Sequence, residues 1–108
     1  MFQALRVEAD AIGKPAWRPM LRYLAELHPR SVQPAQPPCP YPWEETGPGY
    51  CYRPSFSHWD IVHAVLDVVP AEPEHALRQI LNNLAAQDPN GLVPGVMWLK
   101  DGEIRWRT

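Results

Sequence analysis

Fourteen prolines punctuate this chain, and their placement decides where helices can lie. A proline fixes φ, lacks an N–H and is accepted in a helix only in its first turn. Phe2, Leu5, Ala9 and Ile12 recur at helical intervals before Gly13 and Lys14-Pro15, so residues 2–12 read as a short amphipathic helix. A second helix is expected over about 16–28, with Pro19 in its first turn, Met20, Leu21, Leu24 and Leu27 as its apolar stripe, and Pro29 ending it. Pro34, Pro37, Pro38, Pro40, Pro42, Pro48 and Pro54 then crowd residues 30–56, which have neither helical nor strand periodicity. A disordered linker is poor in aromatics, whereas this segment carries Tyr41, Trp43, Tyr50, Tyr52 and Phe56, so an ordered loop packed on some other part of the structure is expected.

Two further helices follow. One opens at Ser57 and runs to about Val69, where Pro70 stops it; its stripe is Ile61, Val62, Val65, Leu66 and Val69. The next starts at Glu72-Pro73 and offers Ala76, Leu77, Ile80, Leu81, Leu84 and Ala85 as its buried face. So short a connection makes the two antiparallel neighbours, an αα-hairpin. Asp88-Pro89-Asn90-Gly91 and Pro94-Gly95 are turns, and Val96-Met97-Trp98-Leu99 and Glu103-Ile104-Arg105-Trp106 flank Lys100-Asp101-Gly102 as a terminal β-hairpin.

At 108 residues and 45% apolar content the chain has the length of one domain with a modest core. A formal charge of −2 without any Lys/Arg run gives no footprint for nucleic acid. No stretch reaches the roughly 20 apolar residues of a membrane span, and Met1-Phe2-Gln3-Ala4-Leu5-Arg6 is no secretory leader, so a cytoplasmic protein is expected. In that compartment Cys39 and Cys51 are expected as free thiols.

The densest polar and aromatic chemistry lies at Ser57-His58-Trp59-Asp60. Ser57 and Asp60 have the spacing of a reciprocal capping box at the helix start. A flat indole beside a fixed carboxylate at a helix mouth suits a sugar ring, which offers apolar C–H faces and hydroxyl edges together. The competing structural reading makes Trp59 a core aromatic and Asp60 a plain cap. His58, His63, Asp60 and Asp67 match no zinc signature, so neither a metal nor another cofactor is expected. Glu44-Glu45 are neighbours in an extended chain and point to opposite sides, so they read as solvated surface acids rather than an acid/base couple. No nucleophile elbow accompanies Ser, His and Asp.

Three runs taken together carry a family likeness: Pro54-Ser55-Phe56-Ser57-His58-Trp59-Asp60, Ala76-Leu77-Arg78-Gln79-Ile80-Leu81-Asn82-Asn83-Leu84, and Gln87-Asp88-Pro89-Asn90-Gly91-Leu92-Val93-Pro94-Gly95. Over about residues 50–98 the chain resembles the (α/α)6-barrel glycosidases, in particular the trehalase, processing α-glucosidase and mannosylglycerate hydrolase group. The resemblance implies a mainly α fold: one portion (57–87) of a toroid of six helical hairpins, flanked by N-terminal helices (1–29), the Pro-rich aromatic loop (30–56) and a turn with a C-terminal β-hairpin (88–108). It implies hydrolysis of an α-glycoside with inversion, with Trp59 and Asp60 holding the sugar and Gln87 at the rim of the same pocket. The family's acid and base lie on helices this sequence does not reach, and inversion needs two carboxyls roughly 6.5–9.5 Å apart. The expectation is therefore a truncated or split product that carries substrate-rim residues and no catalytic residue. Such a product would self-associate through helix faces left uncovered. The alternative is a free-standing helical interaction module that binds no sugar.

Overall fold

The computed structural model describes residues 2–46 and 54–99. In chain order its elements are α1 (Gln3–Ala11), α2 (Arg18–Ser31), β1 (Val32–Gln33), β2 (Trp43–Glu44), β3 (Ser55–Ser57), α3 (His58–Val68), α4 (Pro73–Ala85) and β4 (Val96–Trp98). The fold is mainly helical, with two small antiparallel sheets. Among the described residues no helix is long and apolar enough to cross a membrane.

Gly13 ends α1 as its position predicts, with φ at +72°. A Cβ there would lie 2.6 Å from Trp17 Cε3, so the turn needs both the left-handed backbone and the missing side chain. The chain then doubles back through a 3-10 turn at Pro15–Trp17, and α2 packs along α1. Arg22 Nε meets Asp10 Oδ1 at 2.6 Å across that pair. Within α2 the buried side chains are Ala25, His28 and Ser31, while Leu21, Leu24 and Leu27 are half-buried and Met20 is exposed.

Pro29 does not end α2, contrary to expectation: the helix runs through it to Ser31. The last turn is held in other ways. Ser31 Oγ donates to Leu27 O at 2.7 Å, and Ser31 O accepts Glu45 N–H at 2.8 Å. Tertiary bonds of this kind offset the bond proline removes from the ladder.

The Pro-rich segment is ordered over its described part. β1 pairs with β2 (Val32 with Glu44, Gln33 with Trp43), and β3 pairs with β4 (Ser55 with Trp98, Phe56 with Met97, Ser57 with Val96). Cys39, Trp43 and Phe56 join Ile61, Met97 and Leu99 in one core cluster, with Trp43 and Phe56 edge to face at 6.1 Å. A second cluster joins Phe2 to Val68 and Ala76, and Val65 packs against both. Tyr50, Cys51 and Tyr52, and the turn and second half of the expected C-terminal hairpin, lie outside the described residues.

The α3–α4 hairpin forms with a connection of residues 69–72, and its two helices share the most extensive contact in the fold. Its buried faces are rotated from the apolar stripes. On α3, Ile61 and Val68 are buried and Val65 half-buried, but Val62, Leu66 and Val69 are exposed. On α4 the buried residues are His75, Ala76, Gln79, Asn82 and Asn83, whereas Leu77 and Leu84 are more than half exposed and Ala85 is exposed. The reason lies in the loop that α4 faces. Prolines deprive that loop of ladder partners, so its remaining peptide groups need side-chain ones. Asn82 accepts from Tyr41 N at 3.1 Å and donates to Tyr41 O at 3.2 Å. Gln79 accepts from Glu44 N at 3.0 Å and donates to Pro42 O at 3.0 Å. Satisfying those groups outweighs burying two leucines.

Candidate functional site

β3 leads directly into α3 and so sets how the helix mouth is presented. Ser57 is the residue before the helix, in extended backbone, but its side chain makes no capping bond to α3. The capping box does not form because Ser57 belongs to the β3–β4 sheet: its Oγ turns to Gly95 O at 3.5 Å, and His58 N donates to the same carbonyl at 2.9 Å. Asp60 is thereby released from capping. It is exposed and lines a cleft of about 200 Å³ between α2, α3 and β2.

Trp59 is 71% exposed, so it is no core aromatic. Its ring meets His63 edge to face at 5.3 Å, and His63 in turn lines the cleft beside Asp60 and Asp67. An indole thus stands next to a wall of polar side chains on one helix. Gln87 is exposed just after α4, where its Nε2 donates to Gly91 O at 2.9 Å and holds the turn that Gly91 makes with φ at +93°. It is not among the residues lining the cleft.

The floor of the cleft is a feature absent from the sequence reading. Glu44 is buried, not a solvated surface acid: α2 and α4 close over β2 from both sides and bring an imidazole to each of its oxygens. His28 Nδ1 lies 3.0 Å from Oε2, and His75 Nε2 lies 2.7 Å from Oε1. His28 Nε2 reaches 3.7 Å from Asp67 Oδ2 on the cleft wall. Phe2 caps the group, stacked on His28 with ring centroids 6.4 Å apart and edge-on to His75 at 4.9 Å.

Burial alone would push the Glu44 pKa up, but hydrogen bonds and charge from His28 and His75 hold it below the ordinary carboxylate value. Burial likewise works against a charged His28, and the bond and charge of Glu44, with the charge of Asp67, raise its pKa nonetheless. Glu45 also lines the cleft, and partial burial raises its pKa. With both oxygens engaged, Glu44 serves to join three elements and fix the cleft's shape. Asp60, Asp67 and Glu45 are the carboxylates turned to the cavity.

Among the described residues no group of three His, Cys, Asp or Glu side chains is placed to hold a metal ion. His75, which meets Glu44 from behind the cleft, belongs with Gln79, Asn82 and Asn83 to a second helical stripe on α4 made entirely of polar residues, and none of the four lines the cleft. No protein-family model, curated protein or solved structure matches the chain.

Proposed function

We propose that this chain recognises carbohydrate at the mouth of α3, as a sugar subsite of the (α/α)6-glycosidase kind that contributes binding residues rather than a catalytic pair. In this reading Trp59 offers its face to the C–H side of one sugar ring, and Asp60 accepts bonds from ring hydroxyls. Gln87 acts indirectly, by holding the turn that follows α4 at the same end of the hairpin.

The observation that carries the reading is the joint exposure of Trp59, with 71% of its surface open and its ring against His63, and of Asp60, which with His63 lines a cleft of about 200 Å³ that Trp59 itself does not line. That volume is below the roughly 300–1,000 Å³ of a drug-sized pocket and suits a single ring. The test is ligand-observed NMR with trehalose, mannosylglycerate and glucosyl disaccharides. One of these sugars should receive saturation from the wild-type chain. Trp59→Ala and Asp60→Ala should each lose it, since a charged hydrogen bond alone carries about 1.5–3 kcal/mol, or roughly a ten- to hundred-fold change in affinity. Silence with every sugar contradicts the reading.

A second reading, a helical interaction module without carbohydrate, is favoured by a different observation: the exposed apolar residues on the outer side of α3 and α4.

A further inference from the structure

His28 ties the α3 wall of the cleft to its buried floor. The side chain is buried on α2, with Nδ1 3.0 Å from Glu44 Oε2 on β2 and Nε2 3.7 Å from Asp67 Oδ2 on α3. Glu44 Oε1 in turn meets His75 Nε2 of α4 at 2.7 Å. An imidazole set between two carboxylates satisfies both only when each ring nitrogen carries a proton. Loss of one proton turns a lone pair toward an anion, and the structure decides which nitrogen loses it. The Glu44 side chain is 4% exposed and has no water to turn to, whereas that of Asp67 is 59% exposed and rotates into solvent at little cost. The proton that leaves is therefore the one on Nε2.

No fixed cation stands in for that charge. His28 lines both the cleft and a smaller cavity of about 150 Å³ between α1 and α2, and among the described residues neither lining contains Lys or Arg. The titratable groups that share these cavities with it are Glu8 on α1, Glu44 and Glu45 in and beside β2, and Asp60, His63 and Asp67 on α3. Five of the six are carboxylates, so protonation of His28 removes a unit of like-charge repulsion across the cleft.

We propose that His28 is a proton-operated latch on the cleft: with both ring nitrogens protonated it holds the Asp67 side chain of α3 against α2, and on giving the Nε2 proton to solvent it lets that side chain go. The His28 pKa is raised from 6.5, so the latch is closed below that raised value and opens as pH rises through it. Opening leaves the bond from Nδ1–H to Glu44 in place, and the floor of the cleft with it. What changes is the α3 wall, which gains a mobile carboxylate and one unit of negative charge. The latch is a property of the wall itself and holds whatever binds in the cleft.

Long-range ¹H–¹⁵N correlation spectra of the full chain with labelled histidine, recorded without ligand from about pH 5 to 9, test this. They should show His28 passing from the doubly protonated ring to the Nδ1–H tautomer. The three-bond Hα–Hβ couplings of Asp67 should report one χ1 rotamer below that midpoint and rotamer averaging above it. Asp67→Asn should lower the His28 midpoint by roughly 0.5–1 pH unit. Asp60→Asn removes a carboxylate that lines the same cleft but is not paired with His28, and should lower the midpoint less than half as far. Both substituted side chains are exposed, so the fold is kept. A neutral ring protonated on Nε2, Asp67 couplings that stay constant across the titration, or a midpoint that Asp67→Asn leaves in place would each overturn the inference. No sugar is present, so failure here and failure of the carbohydrate reading are distinct outcomes.

Discussion

Glu44 bears the highest energetic stakes of any single side chain in this molecule. Replacing it with Ala leaves two buried imidazoles without their shared acceptor, so Glu44→Ala should destabilise the fold by about 3 kcal/mol in urea denaturation. The pH dependence follows from the shifts. The Glu44 pKa is lowered from 4.5, so its contribution is complete above that value and is lost as pH falls through the lower, folded-state pKa. The His28 pKa is raised from 6.5, so its contribution is complete below 6.5 and is lost as pH rises through the higher, folded-state pKa. Glu45, also raised, acts in the same direction as His28. Urea midpoints measured from pH 3 to 9 should therefore peak between about 4.5 and 6.5, and Glu44→Gln should remove the acid limb. Cys39 gives a simpler test: burial pushes its thiol up to about 12, so in a Cys51→Ser background it should resist thiol reagents until the chain is unfolded. At this scale the sequence revealed residue types and local φ demands, as at Gly13. It did not reveal burial, because Glu44 and Asp60 are both acids beside a Trp and only the packing of α2 and α4 over β2 separates their fates.

Among the elements, α4 holds the Pro-rich segment in place through amide side chains rather than through a sheet. Asn82→Leu removes both bonds to Tyr41 while keeping side-chain volume, and should cost about 1–3 kcal/mol. Leu84→Ser, on the exposed side of the same helix, should change monomer stability by less than about 0.5 kcal/mol. Thermal melts of the two variants check the contrast, which reverses what the apolar stripe of α4 suggests. Helix positions were legible because Gly13, Pro70 and Pro73 are unambiguous stops and starts. The buried face of α4 was not legible, since a stripe of His, Gln and Asn reads as a solvent face until a proline-rich loop with unpaired peptide groups is set against it. Pro29 misled for a related reason: bonds to Leu27 and Glu45 carry the last turn of α2 past it.

In the whole molecule, the two flanks of α3 divide the work. One flank walls a polar cleft, and another leaves Val62 and Leu66 exposed. Asp60 on the wall of the cleft was legible in the sequence as a polar residue at the start of α3, although the cap motif does not form and Trp59 is not among the lining residues. The floor was not, because His28, Glu44 and His75 are 16 and 31 residues apart and meet only through the fold. The claim on which the functional account rests is that a sugar ring sits against Trp59 beside Asp60. An ¹H–¹⁵N titration with trehalose, mannosylglycerate and glucosyl disaccharides tests it most directly, because each indole N–H reports separately. The account predicts saturable shifts of the Trp59 indole and of amides from His58 to Ala64, with the buried Trp43 indole unmoved. A spectrum that no sugar perturbs, or shifts that leave Trp59 in place, would contradict it.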